Sequence, residues 1–567
     1  MSDIRRTILW VIFGFSLVLL WDKWQIHNGK PATFFPSATP VAAPAPQHAA
    51  STSTASAPGA VPGMVTPNAA PVPGAQDKPA LPHERVAVET DVYRLQFDSE
   101  GGTLVFAELR KYADLADKSR NFVLFDQSPS RVYLPQSGLI GAADPSGWPT
   151  HKTPMRLMPG PRTLQDGQNT LSIRFESPDL GGVKLIKTWT LKRGAYDMQV
   201  RHEVVNTGST AVAPQLYLQL VRDGNKPPGE SSFYSTFTGP AIYTEAKKYQ
   251  KIEFKNIDAG KVEIEKSATN GYVAMVQHYF ASAWLLPEGT PREFFVRKVS
   301  DNLYAVGMLT SLGTIAPGAS QAVEARLFAG PEIEKMLEAL APGLELVKDY
   351  GWLTILAKPL YWLLDHLHKL LGNWGWSIVA LVVLLKLAFY WLNAKAYASM
   401  AKMKAINPRI MEMRERLKDN PQQMQMEMMR IYREEKVNPL GGCLPIVIQI
   451  PVFIALYWVL LSSVEMRNAP WIGWIQDLSS PDPYFILPLL MTASSLLQTA
   501  LNPAPPDPMQ AKMMWFMPLI FSVMFFFFPS GLVLYWLTNN LLSIAQQWLI
   551  NHRMGVPLRL NLPRFKG

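Results

Sequence analysis

One cysteine, Cys443, stands in 567 residues, which excludes an internal disulfide framework and any cysteine-based metal cluster. The nine histidines are scattered and never take the HExxH spacing of a zinc hydrolase. In the basic stretch Lys395–Lys436 no phosphate-cradling Walker A string occurs and no nucleophile–base set stands out. Acid is scarcer than base, 45 Asp+Glu against 54 Lys+Arg, for a net charge of +9. It is missing altogether from the long apolar segments described below. A proton- or sodium-coupled transporter needs an intramembrane carboxylate that titrates or ligates an ion, so that class loses its central residue.

What is present is strongly segregated along the chain. Ile8–Trp21 is a short apolar run behind Arg5 and Arg6, followed by Trp21, Asp22, Lys23 and Trp24 with no small-x-small cleavage site. It reads as an uncleaved anchor over residues 1–24, with a cleaved signal peptide as the alternative. The stretch Pro31–Pro82 holds 12 of the 47 prolines among Ala, Ser and Thr, so residues 25–85 form an extended linker. From residue 86 the pattern alternates: Tyr93, Leu95 and Phe97, then Leu171, Ile173 and Phe175, then Met198, Val200, His202 and Val204. Short alternating runs with Gly, Pro and Asn turns predict an antiparallel β-sandwich with a C-terminal helix over 86–345. Residues 346–372 are apolar but interrupted by Lys358, Asp365, His366, His368 and Lys369. That mixture predicts an amphipathic helix lying in a membrane interface, the alternative being a core helix of the β domain.

Five apolar segments follow within 373–550: Trp374–Leu392, Leu444–Leu461, Tyr484–Leu501, Met513–Phe528 and Leu532–Ile550. Each is near the ~20 residues that cross a bilayer, so with the anchor the chain is expected to span six times. The segment Lys395–Lys436 carries ten Lys+Arg and the tail 551–567 four, while Val464–Pro483 has one cation. The positive-inside rule places the basic loop, the tail and both termini in the cytoplasm and the β domain outside. The net charge is topological, with no interleaved stacking aromatics to suggest a DNA platform. The basic loop reads as a helical hairpin over 394–438, turning at Asp419-Asn420-Pro421. It is rich in methionine, which suits either an adaptable apolar surface or its own packed core.

Lys386 is the one ionisable residue well inside a predicted span, and a mid-bilayer lysine costs about 2.5–3.5 kcal/mol on insertion scales. It marks a functional cavity or it snorkels to the inner interface. On the last span Tyr535, Asn539, Ser543 and Gln546 form one polar stripe, Thr492, Ser495 and Thr499 share a face of another, and Gln449 sits on a third. Such groups can also knit helices together. Three polar faces beside one cation predict a hydrated groove that binds an acidic, partly polar peptide.

The string Val437-Asn438-Pro439-Leu440-Gly441-Gly442-Cys443-Leu444-Pro445, followed by Gln449-Ile450-Pro451-Val452-Phe453, closely resembles the YidC/Oxa/Alb insertase family. Met400-Ala401-Lys402-Met403 and Phe528-Pro529-Ser530-Gly531-Leu532-Val533-Leu534-Tyr535-Trp536 resemble the same family, and the extra first span with a large periplasmic domain resembles its Gram-negative form. The resemblance implies a polytopic α-helical membrane protein with a five-helix core and a β-supersandwich-like periplasmic domain. It implies an insertase and chaperone of the bacterial inner membrane that needs no cofactor or metal, is not an enzyme, and works alone or beside the Sec translocon and its SecD/SecF accessory. Lys386 stands where the family usually has arginine, and Trp536 where a second tyrosine is common.

On this reading the substrate groove comprises Lys386, Gln449, Tyr535, Asn539, Ser543, Thr492 and Ser495, and the apolar span of a substrate slides along Ile450, Pro451, Trp536 and Met517. The hairpin receives nascent inner-membrane proteins through Met400, Lys402, Met403, Met424 and Met428. Its cations, with the short tail, suit weak ribosome contact and anionic lipids. A lipid flippase or secondary transporter using the same cavity is the rival expectation.

Overall fold

The computed structural model describes residues 83–114, 117–142, 147–227, 236–417, 420–435, 444–502, 508–553, 555 and 560. The expected anchor, nearly all of the linker, the string Val437–Cys443 and nearly all of the tail lie outside them. The described residues divide into two compact units at Asp349/Tyr350.

The first unit is all-β apart from short helices such as α1 (Phe254–Asp258) and α2 (Glu334–Leu340). One nine-stranded sheet opens as a meander, Arg85–Glu89, Tyr93–Asp98, Thr103–Ala113, Asn121–Ser128 and Arg131–Ile140, and continues through Gln215–Asp223, Leu303–Ser311, Arg292–Ser300 and Ser267–Ala268. The other runs Lys248–Lys251, Gly239–Thr244, Tyr272–Gln277, Phe280–Leu285, Ser320–Pro331, Asp197–Asn206, Val183–Lys192, Thr170–Glu176 and Arg156–Leu157. The alternation read from the sequence sets which face is inside: Leu171, Ile173 and Phe175 are buried while Thr170, Ser172 and Arg174 are exposed. Trp189 and Trp284 fill the space between the sheets, and their indole N–H groups donate to Gly102 O and Gln219 O. The Tyr93 hydroxyl crosses from the first sheet to the carbonyls of Tyr196 and Ala329 on the second.

This core also buries charge. Arg292 is fully buried because its guanidinium donates to the carbonyls of Thr269, Gly271, Leu286, Pro287 and Thr290, which replaces water bond for bond. Lys187 donates to Gly101 O and Ser137 O, and burial draws its ammonium down to about 7. Beside it, burial and the Lys187 cation pull His151 down to about 3 and His202 well below the usual imidazole range.

The second unit is helical: α3 (Thr354–Leu371), α4 (Trp374–Ala388), α5 (Tyr390–Arg416), α6 (Pro421–Glu434), α7 (Leu444–Ser462), α8 (Ile486–Leu501), α9 (Pro508–Phe525) and α10 (Ser530–Arg553). Its apolar core joins Ala357, Tyr361 and Leu364 of α3 to Ile378, Leu381 and Val382 of α4, Leu456 and Val459 of α7, Met491 of α8 and Val533 of α10. The expected amphipathic helix is thus half core: α3 buries one stripe and leaves Ile355, Trp362 and Leu370 exposed. The unbroken segment Trp374–Leu392 is instead bent. α4 ends at Ala388, and α5 leaves it at 69°. No proline or glycine stands at the bend; instead the Gln546 side-chain amide donates to Tyr390 O just past it, at 3.4 Å. By length and composition no single described helix crosses a membrane, while α4 and α5 as far as Met403 pass together.

Candidate functional site

One end of the helical bundle is sealed by the loop between α7 and α8. Asn373 caps α4 by accepting the Trp376 N–H at 3.0 Å, and its amide donates to Pro470 O and Trp471 O. Gly375 allows the Trp471 indole to lie directly on α4, since a Cβ there would fall 2.2 Å from the ring. Asp482 caps α8 through the N–H groups of Tyr484 and Leu487 and holds the Trp474 indole at 3.0 Å. The Pro529-Ser530-Gly531 turn is pinned to the same loop, Ser530 N to Ser480 O and Gly531 N to Leu478 O.

Below this seal a cavity opens among α4, α5, α7 and α10, lined by Lys386, Asn393, Gln449, Tyr535 and Asn539 and by apolar Val382, Leu385, Phe389, Leu392 and Val452. Its volume of about 30 Å³ exceeds the roughly 10–15 Å³ that one water requires. Lys386 Nζ donates to Ser543 Oγ at 2.7 Å, and Ser543 in turn donates to Asn539 O one turn back. Gln449 of α7 donates to Asn539 Oδ1 of α10, so amide and ammonium converge on one face of α10. No carboxylate lines the cavity among the described residues, and no cluster able to hold a metal ion occurs among them.

The structure therefore brings Lys386, Gln449, Tyr535, Asn539 and Ser543 together. It does not bring Thr492 and Ser495 to them. Thr492 donates to Pro488 O of its own helix, and Ser495 accepts from Asn540 Nδ2 at 2.8 Å. Ser495 belongs with Ser494 to a second polar seam between α8 and α10, which Asn540 and Gln547 complete. The doublets Asn539-Asn540 and Gln546-Gln547, seven residues apart, carried that signal: each doublet gives one residue to each of two adjacent faces. Asn393 was missed because it lies beyond the segment read as a span.

Along the apolar side, Ile450 and Met517 are exposed, Pro451 is half-buried, and Trp536 packs between Phe453 and Phe525 at ring distances of 4.6 and 5.4 Å. In the hairpin, Met403, Met424 and Met428 pack against Ile406, Ile410, Met413 and Ile431, so they form the core between α5 and α6 instead of a free surface. Met400 is half-buried and Lys402 exposed, and the exposed methionines are Met411, Met426 and Met429.

Residues 85–363 match the family model described as YidC periplasmic domain, and residues 366–556 the one described as 60Kd inner membrane protein. A curated relative from Cupriavidus necator, named membrane protein insertase YidC, is 56% identical over 557 residues, 98% of each chain. One of the same name from Janthinobacterium sp. (strain Marseille) is 52% identical over 569 residues, 98% of this chain and all of that one. Among solved structures, one titled as an active YidC insertase with the first transmembrane domain resolved covers 81% of this chain and 91% of its own, at 20% identity and a TM-score of 0.38.

Proposed function

The chain belongs to the YidC family of membrane protein insertases, and we propose that Lys386 and its polar frame are the feature by which it draws a substrate's polar flank into the membrane. It acts on inner-membrane proteins and carries a periplasmic β domain, as the family does. The observation that carries the reading is an ammonium in a cavity framed by amides and hydroxyls and lined by no carboxylate among the described residues, within a bundle whose outer face is apolar.

A partly buried cation whose cavity is lined by no carboxylate among the described residues is costly, and a passing Asp or Glu supplies the missing charge. Gln449, Tyr535, Asn539 and Ser543 hydrate the flank, while the substrate's apolar span moves along Ile450, Pro451, Trp536 and Met517 into lipid. Burying that span yields about 25 cal/mol per Å² of apolar surface, which outweighs the few kcal/mol of drawing a short tail across. No nucleotide is needed for that step.

The remaining topology follows the charge pattern: an anchor at 1–24, a linker to 85, the β domain over 86–345, an interfacial segment over 346–372 that contains α3, and five spans over 373–550. The hairpin and both termini lie in the cytoplasm, where Met400, Lys402 and the exposed methionines meet nascent chains, anionic lipid and, weakly, the ribosome. The Sec translocon and SecD/SecF are the assembly partners of this arrangement. A flippase or transporter has no specific feature of the cavity in its favour.

The test is reconstitution of the purified chain into liposomes with a single-span protein bearing an acidic N-terminal tail. Protease protection of the tail is expected with Lys386 and is expected to fall at least tenfold with Lys386→Ala. Equal protection by both forms would remove Lys386 from the mechanism.

A further inference from the structure

Lysine is an imperfect substitute for arginine in a carboxylate site, since an ammonium is a point charge while guanidinium offers a planar two-donor fork. The geometry around Lys386 supplies a second donor. Ser543 Oγ lies 2.7 Å from Nζ on the facing helix, close enough for both groups to bond the two oxygens of one carboxylate. At rest the Ser543 hydroxyl donates to Asn539 O, a carbonyl within α10 that already serves the helix ladder. Turning that hydroxyl toward the carboxylate gives up this auxiliary bond and leaves the Tyr397 side chain, which also hydrogen-bonds Ser543, beside it. The cavity lining holds no acid among its described residues to compete for either donor.

We propose that Lys386 and Ser543 together form a two-donor subsite for a single side-chain carboxylate of the translocating tail, Ser543 supplying the hydrogen bond that an arginine fork would otherwise provide. The proposal rests on the groove reading above and assigns Ser543 a role in selecting acidic flanks, beyond hydrating them. It also identifies the substrate feature by chemistry: a carboxylate, with the matching amide a poorer ligand because it presents N–H groups where two acceptors are wanted.

The experiment uses the full chain in liposomes and two single-span reporters that differ only in Asp or Asn in the tail; the readout is the ratio of their insertion rates. Ser543→Ala is expected to lower the Asp/Asn ratio roughly ten- to a hundredfold, the weight of one hydrogen bond to a charged group. Ser543→Thr, which keeps the hydroxyl, is expected to restore it. In a chain already carrying Lys386→Arg, Ser543→Ala is expected to change the ratio less than about twofold, because the fork supplies both donors. An equal loss in the lysine and arginine backgrounds, no loss in the lysine background, or a loss shared by both reporters that threonine does not restore would each overturn the proposal. A ratio unmoved by Lys386→Ala would instead overturn the groove reading on which it rests.

Discussion

Between His83 and Asp349 no large apolar side chain is exposed among the described residues, whereas beyond Tyr350 Ile355 is 88% exposed, Leu370 80% and Ile520 66%. The buried side is reversed as well. The β unit buries Lys187, His202, Arg222 and Arg292, while the helical unit buries neutral Ser, Thr, Asn and Gln with Asp482 as its one buried acid among the described residues. Water outside lets a domain spend its whole apolar inventory on the core and satisfy a few buried charges with carbonyls. Lipid outside removes the hydrophobic drive between helices, so apolar side chains face outward and neutral polar groups hold the helices together. Lys386 is conspicuous against this second background as a partly buried cation held by a hydroxyl, Ser543 Oγ, in place of the carbonyls that hold the buried charges of the β unit.

The contrast can be broken most forcefully at the β core. Trp284→Ala empties the space between the sheets and is expected to cost about 3–5 kcal/mol, read as a lower urea midpoint of the β unit while the helix content of the bundle persists. Somewhat smaller is the effect of Ile520→Lys on the exposed face of α9, expected at about 2.5–3.5 kcal/mol where that face meets lipid. It is measured as loss of correctly inserted chain. Gln321→Lys, exposed on the β unit, is expected to stay within about 0.5 kcal/mol. Equal tolerance of the two lysines would mean that α9 is wetted, and the two-solvent account would fall.

Where one periodicity ruled, the sequence was easy to read. Alternation at Leu171, Ile173 and Phe175 marked a strand with one buried face, and that face is the buried one. The pairing of strands whose partner residues lie 75 to 89 positions apart, Arg131–Ile140 with Gln215–Asp223, left no local trace, because register is decided by contacts across the sheet. In the bundle, Lys386, Gln449, Asn539 and Ser543 were legible as polar residues in apolar runs. Thr492 and Ser495 looked the same, yet a hydroxyl on an apolar helix has two uses, groove lining or helix joining, and only the neighbour decides. The bend at Phe389 was illegible for a similar reason, since the amide that meets it comes from Gln546, far along the chain.

The buried bases of the β unit sharpen the comparison through pH. His151 takes a proton near 6.5 when unfolded and only near 3 when folded, so the unfolded chain binds more protons between those values. The His151 contribution to stability is therefore expected to be fully present above pH 6.5 and to be lost as pH drops toward 3, by at most about 1.4 kcal/mol per pH unit for one group. His202 shifts in the same direction. Urea titrations of the β unit from pH 7 to 4 check this, and His151→Asn is expected to flatten the slope. A pH-independent midpoint would show that the buried bases carry no such penalty.

The gentlest test lies in the seam between α8 and α10. Asn540 donates to Ser494 at 3.1 Å and to Ser495 at 2.8 Å, and interhelical hydrogen bonds of this kind contribute about 0.6–1.7 kcal/mol in a membrane. Asn540→Ala is expected to lower the thermal stability of the chain in lipid by about that amount. Combining it with Ser494→Ala and Ser495→Ala is expected to add little more, because the three side chains share the same bonds. The preference for an acidic over a neutral tail is expected to hold in all of these variants, since Asn540 bonds α8 while Lys386 bonds Ser543. Lost preference at unchanged stability would move the seam into the groove, and the polar residues of α10 would then form one hydrated surface instead of two seams with different work.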